Sequence, residues 1–271
     1  MRGRFAVRLA LIGLLAAGAV VGCSNNDEEA GPQTGVLSVR ITDAPAQFDQ
    51  VNLVVTQVAV FRGSTLPADS DSVAGWQVVR SSSVTVDLVT LRNGGSLQLV
   101  VGRVPAGTYS RMRLKLGAGS TVVVNGTTYP LIIPSGEQSG LKINGPFTVP
   151  ANSTLDLVID VDASRSIVQT GAGTYILHPV LRVMNSATTG AISGHVLPDS
   201  VSTTVFAMQA ADTVTSTITT STGRFTLGAL PAGTYSVSFH PETAYRDTTI
   251  TGVAVTTGHV TTLSNLVLTA Q

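Results

Sequence analysis

Residues 223–239, GRFTLGALPAGTYSVSF, contain a pattern that is typical of a β-sandwich. Tyr235, Val237 and Phe239 recur at every second position, and the residues between them are serines. Because side chains alternate between the two faces of a strand, this period predicts a strand with one buried face. The preceding Leu-Pro-Ala-Gly segment combines a residue that fixes φ with one that permits positive φ, which is typical of a tight turn.

The hexapeptide PAGTYS also occurs at 105–110, in surroundings of the opposite phase. There Arg111 and Arg113 stand two and four residues after Tyr109, so in a regular strand they lie on the same face as the tyrosine. The apolar residues lie on the other face. A one-residue shift moves every side chain to the other face of a sheet, so the two copies share a register only if a bulge intervenes. We interpret the hexapeptide as a turn device used twice, with the tyrosine packed or hydrogen-bonded at a strand start. A tandem repeat would keep the phase.

The composition favours an all-β fold. Valine and threonine are abundant, 12% of residues are charged, and glycine and proline recur at short intervals. This composition is typical of short strands joined by turns. Residues 51–61 are apolar on both faces and predict an interior strand, residues 111–116 alternate, and Asn125-Gly126 predicts a hairpin turn. We predict two β-sandwich domains in tandem.

The N-terminus has the features of a secretion signal. Arg2, Arg4 and Arg8 precede a short apolar stretch that ends at Cys23, the single cysteine. The segment VVGC resembles the lipobox of bacterial lipoproteins, which implies cleavage after residue 22 and acylation, including palmitate, at Cys23. An ordinary signal peptide with a chance cysteine is the alternative. Since residue 24 is Ser and not Asp, the resemblance implies an outer-membrane location. Residues 23–34 predict a flexible tether.

Charge and cysteine content exclude several classes of function. Without the signal arginines, acidic residues outnumber basic ones by three. No basic field attracts nucleic acid, so we expect no nucleic-acid partner. A single lipid-bound cysteine leaves no thiol for a disulfide or a cysteine-based zinc site.

Two family resemblances define the predicted domains. Segments LSVRITDAPAQFDQVNLVVTQVAVF, YPLIIPSGEQSGLKINGPFTV and YILHPVLRV resemble domain-of-unknown-function family 4382 of bacterial envelope lipoproteins, which implies a first domain at 35–186. Asp43 matches a prominent motif of that family, and we expect it to form an Asx turn at the end of the first strand. The 223–239 stretch resembles the carboxypeptidase regulatory-like domain, which implies a seven-stranded, transthyretin-like sandwich at 187–271. The latter fold superfamily includes carbohydrate-binding modules.

Three aspartates form the candidate metal site. Asp160 and Asp162 share one face of the strand at 155–162, with Asp156 further back. Carboxylates placed in this way repel one another unless a positive group joins them, and Ca²⁺ prefers such oxygen ligands. An arginine such as Arg165 would do the same. The sequence leaves open a structural calcium ion or a solvated face with an arginine partner, and it predicts no required cofactor.

Aromatic residues form a second candidate site. Glycan-binding surfaces use exposed aromatic rings, and Trp76 follows a long polar loop. Trp76 and Tyr245 are therefore candidate sugar contacts, with burial in a core as the alternative for Trp76.

Catalytic patterns are scarce in the chain. It contains no Gly-x-Ser-x-Gly elbow, and its four histidines have no metal-binding spacing. We therefore expect a non-catalytic, lipid-anchored envelope protein with a structural or adhesive role, and a polysaccharide or an envelope protein as its partner. A carbohydrate-binding lipoprotein is the alternative, and a hydrolase that uses Asp160 and Asp162 is the third hypothesis.

Overall fold

The computed structural model describes residues 32–44, 48–62, 75–134, 139–171, 173–242 and 244–271. The predicted signal peptide and Cys23 lie outside these residues. Pro32–Gln271 forms one compact unit. No helix within the described ranges is both long and apolar enough to cross a membrane.

The first sandwich is built from strands that continue up to residue 185. A four-residue helix, α1, spans Ala163–Ser166, and 3₁₀ turns span Leu88–Leu91 and Ser186–Thr188. The strands are β1 Thr34–Ala44, β2 Gln50–Arg62, β3 Trp76–Arg80, β4 Val84–Asp87, β5 Leu97–Pro105, β6 Gly107–Leu116, β7 Thr121–Val124, β8 Thr127–Ile132, β9 Leu141–Val149, β10 Thr154–Asp162, β11 Ile167–Gln169, β12 Tyr175–Leu177 and β13 Leu181–Asn185.

Two sheets enclose the first core. In the described part of the chain, one sheet has four strands in the order β13-β10-β1-β5, with β1 and β10 parallel. The other has nine, in the order β11-β12-β8-β7-β2-β6-β9, and β3 and β4 also pair with β2. Because β2 lies inside this sheet, Val58, Ala59 and Val60 are fully buried on alternating faces. This confirms the interior strand that the two-sided apolar pattern predicts.

The second sandwich follows the 3₁₀ turn at Ser186–Thr188. Its strands are β14 Thr189–Leu197, β15 Thr203–Gln209, β16 Asp212–Ile218, β17 Arg224–Pro231, β18 Gly233–Pro241, β19 Thr248–Val255, β20 Val260–Thr262 and β21 Leu266–Val267. The sheets, as far as the structure describes them, are β17-β14-β20, with β21 also on β14, and β16-β15-β18-β19. β20 and β21 pair in succession with β14 and occupy one strand position. The all-β prediction is confirmed.

The alternation predicted for residues 111–116 is confirmed for the residues that face the core. On the outer face, one of the residues predicted to be exposed is buried. Met112, Leu114 and Leu116 are buried in the first core. Arg113 points away from that core as predicted, yet it is only 4% exposed. Its guanidinium carbon lies 4.3 Å from the centre of the Trp76 ring. A small apolar cluster of Ala59, Phe61 and Trp76 therefore covers the outer face of this sheet.

Both PAGTYS copies use the same hydrogen bond. The Tyr109 hydroxyl donates to the Pro105 carbonyl at 2.7 Å, and the Tyr235 hydroxyl donates to the Pro231 carbonyl at 2.8 Å. In β6 the register shifts between Tyr109 and Arg111, so the bulge that a shared register requires is present, and Tyr109 is buried like Tyr235. The interpretation as a repeated turn device is confirmed.

Candidate functional site

A polar cavity of about 210 Å³ lies between the two sandwiches. The first sandwich contributes the ends of β1 and β10 and the turn that precedes β5. The second contributes residues 215–217 of β16 and 226–229 around β17. Because β1 and β10 are parallel and in register, Thr42 pairs with Asp160, which brings two polar side chains to the same end of the sheet.

Asp160 is buried at this junction and held by one arginine. Its Oδ2 accepts a hydrogen bond from Arg182 Nε at 2.7 Å, and Arg182 Nη2 lies 2.6 Å from the same oxygen. The Thr215 hydroxyl of the second sandwich donates to Oδ2 at 3.4 Å. Burial raises the pKa of Asp160, and the Arg182 charge opposes that rise. The carboxyl group therefore joins both sandwiches through Oδ2.

Asp43 is the second buried carboxyl group. Its Oδ1 accepts a hydrogen bond from the backbone N–H of Ala163 at 3.1 Å, which caps α1 from a distant strand. Its Oδ2 is buried without a hydrogen-bond partner. Burial raises the pKa of Asp43 well above its usual range, and the nearby charges of Asp160 and Asp162 act in the same direction. The sequence-based expectation of a simple Asx turn misses this long-range contact.

Asn93 connects the sandwiches at the edge of the cavity. Its Nδ2 donates to the Ile218 carbonyl at 2.9 Å. Its Oδ1 accepts from the Thr217 hydroxyl at 3.0 Å and from the Thr226 N–H at 3.2 Å. The residue has a φ of +56°, followed by Gly94 with +79°, so the Asn-Gly turn projects the amide toward the second sandwich. The amide oxygen of Asn93 thus accepts two hydrogen bonds across the junction, and its NH₂ group donates one.

A family model described as Domain of unknown function (DUF4382) matches residues 34–179, more than half of the chain. The chain belongs to this family. The match includes both buried aspartates and Asn93, and it ends before β13 and Arg182. The resemblance of residues 187–271 to the carboxypeptidase regulatory-like domain stays a prediction.

Solved structures similar to this DUF4382 protein are distant. The Bacillus anthracis TIE protein is 12% identical with a TM-score of 0.22, and the alignment covers 86% of this chain and 34% of that one. The chain thus spans about a third of that protein's length. The minor pilin of Streptococcus agalactiae is 11% identical, with coverages of 86% and 97% and a TM-score of 0.22.

The shaft pilin SpaA of Lactobacillus rhamnosus GG is 10% identical, with coverages of 88% of this chain and 98% of that one and a TM-score of 0.25. Similarities this low carry no argument about function. The comparison with curated proteins finds no match.

The three aspartates of the predicted metal site have separate surroundings in the DUF4382 domain. Asp162 caps α1, accepting from the Arg165 N–H at 3.0 Å and from the Ser164 hydroxyl at 2.7 Å. Arg165 Nη1 lies 3.8 Å from its other oxygen, and Asp160 pairs with Arg182. Among the described residues, no group of three or more His, Cys, Asp or Glu side chains is arranged to hold a metal ion. Calcium at Asp156, Asp160 and Asp162 stays a prediction.

The two aromatic candidates lie in apolar surroundings. Trp76 is 8% exposed and packs against Phe61 with ring centres 5.6 Å apart. Trp76 thus has the buried environment that the sequence analysis gives as its alternative, because the apolar cluster and Arg113 cover the ring. Tyr245 is half-buried against the second core and pairs with Ala270.

Sequence reasoning missed Asn93 and Arg182 as members of the site. Asn93 has the signal of a turn and nothing more, since its three partners lie at residues 217–226. The sequence analysis names Arg165 as the arginine partner because it is close in sequence to the aspartates, whereas Asp160 pairs with Arg182. The antiparallel register of β10 and β13 places Arg182 directly opposite Asp160, and only strand pairing reveals this.

Proposed function

We propose that this DUF4382 protein is a non-catalytic, lipid-anchored protein of the cell envelope, in which both sandwiches act as one structural or adhesive unit. The observation that supports it is the Asn93 junction, where a single amide forms three hydrogen bonds with the second sandwich. Hydrogen bonds of this kind hold the two sandwiches in a defined arrangement. A unit that keeps its shape suits the display of a binding surface for an envelope protein or polysaccharide.

The anchor is tested by labelling cells with radioactive palmitate and fractionating their membranes. The wild-type protein should carry label and sediment with the outer membrane, since two or three acyl chains anchor stably. Cys23→Ala should lose the label, and Ser24→Asp should keep the label but move to the inner membrane. A labelled Cys23→Ala protein would contradict the proposed lipid site.

The adhesive role is tested by protease treatment of intact cells, followed by immunoblotting for the second sandwich. Digestion in intact cells would support a surface role in adhesion. Protection until the outer membrane is opened would overturn adhesion and leave a periplasmic structural role.

A hydrolase remains the competing class of function. Purified protein should show no hydrolytic activity that depends on Asp160, because that carboxyl group pairs with Arg182 and joins the sandwiches. An activity that disappears in Asp160→Asn, in a variant that keeps the wild-type Tm, would overturn the non-catalytic proposal.

A further inference from the structure

The cavity between the sandwiches contains polar groups that the protein itself leaves unpaired. Arg40 and Asp43 both line it, and Arg40 Nε and Asp43 Oδ2 are buried without hydrogen-bond partners. Asp43 is 6% exposed, so bulk water does not solvate its carboxyl group freely. Buried polar atoms in folded proteins nearly always have a partner. These two atoms therefore indicate that the cavity holds a molecule. That molecule would accept a hydrogen bond from Arg40 Nε and form a second one with Asp43 Oδ2.

The charges around the cavity favour a neutral occupant. Arg40 and the carboxyl groups of Asp43 and Asp160 line the cavity. Arg182, which lies behind Asp160, neutralises that carboxylate. Arg40 and the Asp43 carboxylate carry opposite charges, so the charges in and directly behind the lining sum to zero. A cation or an anion would upset this balance, whereas a neutral molecule would not.

The lining requires a molecule with both donors and acceptors. Arg40 Nε can only donate, while the carboxylate oxygen Asp43 Oδ2 accepts. Thr215 and Thr217, which share one face of β16, add hydroxyl groups of the second sandwich to the wall. Each hydroxyl of a polyol donates one hydrogen bond and accepts others, so a polyol matches every one of these groups.

The size of the cavity limits the occupant. A volume of about 210 Å³ corresponds to the space of roughly seven waters. Pockets for drug-sized ligands are larger, at about 300–1,000 Å³. One sugar ring or a cyclic polyol of similar size fits this range better than an oligosaccharide.

We propose that the cavity between the sandwiches binds a single neutral, polyhydroxylated ring, such as a monosaccharide, through groups from both sandwiches. This site differs from the aromatic candidates Trp76 and Tyr245. It does not depend on the lipid anchor, so its failure and that of the proposed function are separable.

The test is ligand-observed saturation-transfer NMR on the full-length protein, purified in a detergent without a sugar headgroup. The probes are D-glucose, D-galactose, D-mannose and myo-inositol, with D-glucosamine and D-glucuronate as charged counterparts. At least one neutral probe should show transfer, and the charged counterparts should bind more weakly. If no neutral probe shows saturation transfer, the cavity holds only water and the proposal is overturned. Stronger binding of a charged counterpart than of the neutral probes would also overturn the proposal.

Matched arginine variants locate the binding. Arg40 lines the cavity, whereas Arg111 is also half-buried with an Nε that has no hydrogen-bond partner, and it lies outside the cavity lining. Arg40→Lys keeps the charge, removes Nε as a donor and should weaken binding of the positive probe about three- to tenfold, the value of one hydrogen bond. Arg111→Lys should leave the affinity unchanged. Equal affinities in both variants and the wild type would place the binding elsewhere and overturn the site.

Discussion

Tyr109 and Tyr235 show how one residue type closes the same turn in two sandwiches. Each buried ring returns its hydroxyl to the carbonyl of a proline four residues earlier. A similar tyrosine corner stabilises other β-sandwiches. Burial raises the pKa of both phenols, so they remain protonated donors at neutral pH. The turn thus depends on a hydroxyl group that the local sequence places and the core buries.

Tyr109→Phe and Tyr235→Phe should each lower the free energy of unfolding by about 1 kcal/mol, because each leaves one proline carbonyl without its donor. Urea denaturation followed by circular dichroism measures the change. Tyr129→Phe is the control, since the Tyr129 side chain is half-buried outside both turns, and it should change stability by less than about 0.5 kcal/mol. A loss confined to one of the two turn variants would contradict their equivalence.

Asp43 illustrates a carboxyl group whose environment opposes its charge. One oxygen caps the helix α1 and the other has no partner. Since burial raises its pKa, the folded protein keeps a proton that the unfolded chain has already lost. The stabilisation from Asp43 is complete below the ordinary carboxyl range near pH 4 and is lost as the pH rises toward the folded-state pKa.

Asp43→Asn should flatten this part of the pH dependence. The asparagine cannot ionise, yet its carbonyl oxygen can still accept from Ala163. Near pH 4 the two proteins should have similar free energies of unfolding, and toward neutral pH the wild type should lose more stability than the variant. Urea midpoints measured across this range provide the comparison. Parallel curves for the two proteins would show that Asp43 does not titrate as inferred.

Two Asn-Gly turns show how the same element serves different purposes. Asn93-Gly94 and Asn125-Gly126 both have positive φ at each position. This geometry matches the twist of a two-residue β-hairpin turn. The second turn joins β7 and β8 as a simple hairpin, as predicted, and Asn125 is exposed. The first lies against the second sandwich, where Asn93 becomes part of the junction.

Asn93→Gly should weaken the junction, whereas Asn125→Gly should not. Glycine adopts positive φ without strain, so both variants keep the turn and differ in the hydrogen bonds lost. Asn93→Gly should cost about 3 kcal/mol at most, from three lost bonds, and Asn125→Gly less than about 0.5 kcal/mol. Calorimetry measures the cost, and faster proteolysis around Ser186–Thr188 would report separation of the sandwiches. Equal effects of the two variants would contradict the role of Asn93.

At the scale of the whole molecule, two cores meet across a polar junction. The first core draws on residues between 37 and 177, and the second on residues between 192 and 268. The sandwiches are therefore separate in their apolar packing and joined by Asn93, Asp160 and Thr215. Burial of polar groups at such a junction contributes specificity of arrangement when each group finds a partner.

Removal of metal should leave this molecule intact. Asp160 is neutralised by Arg182, and Asp162 caps α1, so we expect the same Tm in EDTA and in millimolar Ca²⁺. Thermal unfolding monitored by circular dichroism provides the measurement. A higher Tm in Ca²⁺ that disappears in Asp156→Asn would instead support the calcium ion.

Much of the fold follows from local patterns. The interior strand β2, the hairpin at Asn125-Gly126 and the repeated tyrosine turn are each predictable within a few residues, because alternation and turn chemistry are short-range properties. The sequence leaves the bulge in β6 open, because it is required only if Tyr109 and Met112 both face the core, and the structure shows that both do. Burial of Arg113 was not predictable, because Trp76 reaches it from another strand.

The all-β class, the faces of the main strands and the turns between them follow from local sequence patterns. The site depends on tertiary contacts: the arginine that neutralises Asp160, the helix that Asp43 caps and the partners of Asn93. Asn93 and Thr226 are separated by 133 positions, and no local period links residues so far apart. Strand pairing and the docking of two cores bring these side chains together, so their chemistry exists only in the folded chain.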